Sequence, residues 1–123
     1  MNPHRIMVID DEKIVGDMAK ISLEQEGYEV EAFLNAAPAL ERLKEEKFDI
    51  VITDLKMKGI DGMEVLRTIK KQYPETQVIM ITAFANLDSA IEALREDVHD
   101  FFPKPVKLKE LKASIKRALE NKR

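Results

Sequence analysis

Two hydrophobic periods take turns along this chain. RIMVID (5–10), DIVITD (49–54) and QVIMIT (77–82) are short, nearly unbroken apolar runs rich in β-branched residues. Strands buried on both faces of a parallel sheet have this character, so these three are expected at its centre. YEVEAF (28–33) alternates with period two and VHDFF (98–102) is shorter, which suits the two edges. Helical spacing fills the intervals. Ile14, Met18, Ile21 and Leu23 recur before a stop at Gly27; a second helix at 36–46 carries Ala39, Leu40 and Leu43. A third runs from about 62 to 73, where Pro74 ends it; Asn86 or Asp88 caps a fourth through about 96; and 108–119 sets Leu111, Ile115 and Leu119 on one stripe. Strict strand–helix alternation implies parallel crossovers. The expected fold is α/β, a flavodoxin-like (βα)5 sandwich with strand order 2-1-3-4-5 and helices on both faces.

Composition narrows the function. With 123 residues the chain suits one domain, 1–123, and a net charge of −3 points to neither a nucleic-acid nor a membrane surface. The absence of cysteine removes disulfides, thiolate metal sites and thiol nucleophiles, and fits a cytoplasmic protein. No signal peptide is recognisable, and no run approaches the ~20 apolar residues of a membrane span. The basic ending KRALENKR reads as a frayed helix end or, over 119–123, as the start of a linker to an output domain.

Candidate chemistry lies at the strand ends, where open α/β sheets bind ligands. The first strand delivers Asp10 and Asp11, the third Asp54, the fourth Thr82, and Lys104 follows the fifth. Converging carboxylates are unfavourable unless something positive compensates them. Lys104 supplies one charge; a hard, oxygen-ligated divalent ion, Mg²⁺ before others, would supply the rest. Such a set suits phosphoryl transfer, with Asp54 as nucleophile, Asp10 and Asp11 as metal ligands, Lys104 as cation and Thr82 as hydroxyl donor. Taken singly, Asp10 and Asp11 read equally well as helix caps, Thr82 as a β-branched strand residue and Lys104 as a solvated lysine. The joint occurrence at successive strand ends is the informative feature.

IDDE (9–12), TDLKMKGIDG (53–62), ITA (81–83) and DFFPKP (100–105), in this order and spacing, resemble the receiver domain of two-component response regulators over essentially the whole chain. The resemblance implies that Asp54 accepts a phosphoryl group from a phosphohistidine of a sensor histidine kinase or phosphotransfer protein. It implies that Asp10, Asp11, Asp54 and the backbone carbonyl of Lys56 hold Mg²⁺ or Mn²⁺, that Thr82 and Phe101 form the switch, and that a cis bond before Pro105 aims Lys104 inward. Members are not conventional enzymes; they promote their own phosphorylation and dephosphorylation. The family also implies an output domain, here similar in its approach to those of DNA-binding transcriptional activators, and homodimers through the fourth helix, fifth strand and fifth helix. The lysine-rich last helix reads as a solvated face or, as the alternative, as a partner of Glu92, Glu96 and Asp100 across such a dimer.

Departures from the family pattern are Lys58, where proline is usual and the loop is expected to be more mobile, and Asp97-Val98, where Gly-Ala is usual and a turn must form without glycine. Phe84 and Lys56 stand where members tune hydrolysis of the acyl phosphate, and Phe84 is expected to shield that bond. His4 and His99 read as surface or partly buried residues, and Met7, Met63 and Met80 as core filler. Of the rivals, a flavin carrier needs a phosphate loop that Asp10-Asp11-Glu12 would repel, and a pseudo-receiver would lack the acidic site. An aspartyl phosphatase-like phosphohydrolase is the alternative, but many such enzymes carry a second Asp where Lys56 stands.

Overall fold

The computed structural model describes residues 3–120. Its elements are β1 (Arg5–Ile9), α1 (Lys13–Glu24), β2 (Glu29–Phe33), α2 (Ala36–Glu45), β3 (Ile50–Thr53), α3 (Gly62–Gln72), β4 (Gln77–Thr82), α4 (Leu87–Arg95), β5 (Asp100–Pro103) and α5 (Leu108–Glu120). All strand pairs are parallel, in the order β2-β1-β3-β4-β5. Strand alternation divides the core in two. Met7, Ile9, Val51, Val78 and Met80 pack beneath α2, α3 and Ala93 of α4, while Ile6, Val8, Ile50, Ile52 and Ile79 pack beneath α1 and α5. Both faces of β1, β3 and β4 are thus apolar, which is why these strands show no alternation in sequence. Met7, Met63 and Met80 are core residues as expected.

Helix α1 corrects the sequence reading. Of its four spaced apolar residues only Leu23 is buried; Ile14, Met18 and Ile21 face solvent. Size, not polarity, selects the packed face. Gly16 is buried, and a Cβ there would lie 3.2 Å from the Cβ of Ala32 on β2, so the helix lies close to the sheet along its smallest side chains.

Helix starts follow ordinary capping chemistry. Asp61 accepts a hydrogen bond from the Glu64 amide at 3.0 Å, and Asn86 and Ser89 form a reciprocal capping box at α4. Asn86, not Asp88, is therefore the cap. The turn before β5, lacking glycine, is made by Asp97 with φ 66°, a left-handed conformation that Asp tolerates better than most residues. Strand β5 starts two residues later than expected; Val98 is buried but lies before it. Helix α5 runs through Glu120, so Leu119 and Glu120 are helical, and 121–123 of the expected linker lie outside the described residues.

Helices α3 and α4 differ in their attachment. Five residues of α3 are buried, whereas α4 buries Ala93 alone and turns Leu87, Ile91 and Leu94 outward. Glu92 of α4 and Glu96 at its C-terminal cap both pair with Arg67 of α3, and Asp100 pairs with Ser114 and Arg117 of α5. The acids expected to meet α5 lysines across a dimer are thus engaged within the chain. Among the described residues no helix is long and apolar enough to cross a membrane.

Candidate functional site

Backbone bonds carry the sheet one residue past its strands and place the chemistry. The Asp54 amide donates to Ile9 O at 3.0 Å, setting Asp54 beside the end of β1, and the Lys104 amide donates to Thr82 O at 2.9 Å, setting Lys104 beside the end of β4. The Lys104 ammonium then reaches Asp10 Oδ2 and Asp54 Oδ2, each at 2.8 Å, and Glu12 Oε1 at 3.3 Å. Asp10 and Asp54 are buried, and Asp11 stands exposed at the rim. The three aspartates each present an oxygen within 4.8 Å of the others. Burial by itself would lower the Lys104 pKa; the bonds to Asp10 and Asp54 outweigh it and hold the ammonium above the usual lysine range. The site therefore keeps its cation throughout the neutral range.

One cation among these aspartates and Glu12 leaves the site net negative. An all-oxygen donor set of this span suits a hard divalent ion, and a thiolate- or imidazole-seeking metal would find no ligand in it. Neither Asp10 nor Asp11 caps α1. Glu12 occupies the cap position without a side-chain cap bond, and Asp10 Oδ1 instead accepts the Glu12 amide at 2.9 Å. An apolar cavity of about 420 Å³ between α1 and α5, walled by Val15, Ala19, Ile52, Ile81 and Leu111, opens beside Asp10, Asp54 and Lys104. Low-polarity walls strengthen the charge pairing at its mouth.

The remaining sequence candidates surround this centre. Thr82 is fully buried, and its Oγ1 accepts the Phe84 amide at 3.0 Å. Phe101 lies opposite Met80 in the sheet register, half-buried against the core beneath α2, α3 and α4. The Lys104-Pro105 bond is cis. The Lys56 amide donates to Asp54 Oδ1 at 3.3 Å, so the loop after β3 turns back over its own carboxylate. Phe84 is exposed. His99, partly buried, contacts Ser114 O at 3.1 Å, away from the aspartates.

Two contributors escaped the sequence reading. Gly62 opens α3 directly against the backbone of Asp54; a Cβ there would lie 2.1 Å from Asp54 O and 2.8 Å from Leu55 Cα. Its amide donates to Leu55 O at 2.8 Å, and Thr53 Oγ1 donates to Asp54 O at 2.9 Å, so the two peptides that follow Asp54 are each held by a hydrogen bond. Glycine here serves close approach, a use that Gly-Asp neighbours in a loop do not announce. Glu12 is the second, missed because its reach to Lys104 depends on tertiary placement.

Residues 6–116 match the response regulator receiver domain family. The chain is 33% identical over its full 123 residues to the DNA-binding transcriptional regulator NtrC of Proteus hauseri, of which it covers 26%. It thus spans about a quarter of that relative's length. Among solved structures, a CheY-like receiver domain protein of Methanospirillum hungatei superposes with a TM-score of 0.93 at 32% identity, covering 97% of this chain and 95% of the other. The beryllofluoride-activated NtrC4 receiver domain dimer superposes with a TM-score of 0.90 at 30% identity, covering 94% and 96%. With this match over nearly its whole length, and with the fold and acidic cluster described, the chain belongs to the response regulator receiver domains, which accept phosphoryl groups on an aspartate.

Proposed function

We propose that Asp54 is the phosphoacceptor, taking a phosphoryl group from a phosphohistidine of a sensor histidine kinase or phosphotransfer protein. The observation that carries this reading is the bonding of one ammonium, Lys104, to Asp54 and Asp10 at 2.8 Å each, with Asp11 alongside. Asp54 Oδ1 or Oδ2 attacks phosphorus, the P–N bond to the donor imidazole breaks, and the imidazole leaves with its electron pair. Lys104 neutralises one phosphoryl oxygen, and the Thr82 hydroxyl donates to another. Asp10, Asp11, Asp54 and the Lys56 carbonyl would hold Mg²⁺ or Mn²⁺, which when bound supplies the remaining neutralising charge.

The output is a population shift. Drawing Thr82 and Lys104 toward the phosphoryl group vacates space that Phe101 fills, altering the surface around β5. Moving from mostly off to mostly on takes ~5 kcal/mol of differential stabilisation, within reach of a few charge-assisted contacts. We place the domain in the cytoplasm as residues 1–123 of a regulator whose output domain resembles those of NtrC-like transcription factors. Similarity to the NtrC4 receiver dimer favours pairing of copies, for which we propose the face of α4, β5 and α5. The outward Leu87, Ile91 and Leu94 supply apolar contact for it, since the nearby acids are engaged within the chain. Nothing favours a turnover phosphohydrolase, and Lys56 stands where its second acid would be.

The test is incubation with Mg²⁺ and acetyl phosphate, followed by intact-mass measurement. The wild-type chain should gain one phosphoryl group, labile in acid and base, and Asp54→Asn should gain none. Equal uptake by Asp54→Asn would place the acceptor elsewhere.

A further inference from the structure

We infer that Glu12 is a positioning residue of the phosphotransfer site: it holds Lys104 before the reaction and is the partner Lys104 releases when phosphoryl oxygens arrive. This rests on the reading of Asp54 as acceptor. A lysine ammonium has three N–H groups, and here all three are committed, to Asp10, Asp54 and Glu12. Once Asp54 is acylated its charge passes to the phosphoryl oxygens, so one of them replaces Asp54 at Lys104, and a second can bond there only by displacing Asp10 or Glu12. The bond to Glu12 is the longest at 3.3 Å, and the Glu12 side chain is 63% exposed, against 5% for Asp10 and 8% for Asp54. Returned to water, Glu12 is rehydrated; Asp10, left behind, would be a buried unpaired charge.

The backbone supports the same assignment. The Glu12 amide is tied to Asp10 Oδ1 at 2.9 Å, so the main chain stays with the site while the side chain is free to leave. That side chain occupies the cap position of α1 yet caps nothing, although a capping acid there would favour the helix. Its placement at Lys104 gives it two opposed effects. As a negative charge it helps retain a divalent cation among Asp10, Asp11 and Asp54. As a competitor for Lys104, of the same sign as the phosphoryl group, it disfavours the acylated state.

The opposition supplies the test, made on the 123-residue chain with Glu12→Gln. Mg²⁺ is titrated calorimetrically without any phosphoryl analogue, and beryllofluoride is then titrated at saturating Mg²⁺ with amide NMR shifts as readout. The variant should bind Mg²⁺ about two- to five-fold more weakly and beryllofluoride about two- to five-fold more tightly, the range of a partly exposed charge pair. Movement of both affinities downward would make Glu12 a structural support and overturn the inference. No movement in either would reduce the contact to a solvated surface pair and overturn it equally. Wild-type protein that takes up no beryllofluoride would remove the reading of Asp54, and this inference with it.

Discussion

Several cations in this fold each gather more than one carboxylate, Arg5 and Arg42 among them, and two of the set, Lys104 and Arg67, do so in contrasting surroundings. Lys104, its side chain 17% exposed, joins three acids from two strand ends, Asp10 and Glu12 after β1 and Asp54 after β3, with both aspartates buried. Arg67, 44% exposed, joins Glu92 of α4 and Glu96 at its C-terminal cap. The formal chemistry is alike, but solvent separates the two. At Arg67 water and salt screen the attraction, and the cluster is a tether between helices. At Lys104 little water competes, the acids outnumber the cation, and the surplus negative charge remains available to a metal. Burial, more than the count of opposite charges, makes one cluster reactive and leaves the other mechanical.

The largest test of this contrast is Asp54→Asn, expected to abolish acetyl phosphate uptake, whereas Arg67→Ala should leave uptake within two-fold of wild type (about 0.4 kcal/mol). Next, Gly62→Ala forces a methyl group into the backbone of Asp54 and should cost ~3 kcal/mol of stability in urea unfolding, with acceptor activity falling in whatever folds. Lys104→Ala leaves buried acids facing one another. It should cost ~1–3 kcal/mol without metal, and millimolar Mg²⁺ should recover part of that loss, a pattern that Arg67→Ala must not show if the clusters differ as described. The smallest effect is that of Arg67→Ala on stability, at most ~1 kcal/mol and shrinking further in 1 M NaCl.

Sequence carried much of this, for identifiable reasons. Central strands were legible because burial on both faces erases alternation, as in Val8, Ile52 and Ile79. Asp54 was legible because a carboxylate directly after a buried strand has no structural need met there. The packed face of α1 was not legible, because a hydrophobic count credits Ile14 and Met18 and gives no weight to the absent side chain of Gly16, which decides the contact. Gly62 was hidden for a related reason: glycine usually signals a turn, and here it marks two backbones in contact. Asp97 was foreseen as a turn without glycine, and its positive φ shows how the chain makes one. Glu12 could not be assigned from spacing, because its partner lies 92 residues away.

One consequence follows from the way α4 meets the sheet. Beyond the Arg67 tether, its one fully buried side chain is the methyl group of Ala93, worth ~1 kcal/mol of burial, whereas lifting α3 would expose Met63, Val65, Leu66 and Ile69 at several times that figure. A helix so lightly seated can roll or tilt without uncovering the interior. The same property makes Ala93 intolerant of enlargement: any bulkier side chain would act as a wedge, prising α4 outward.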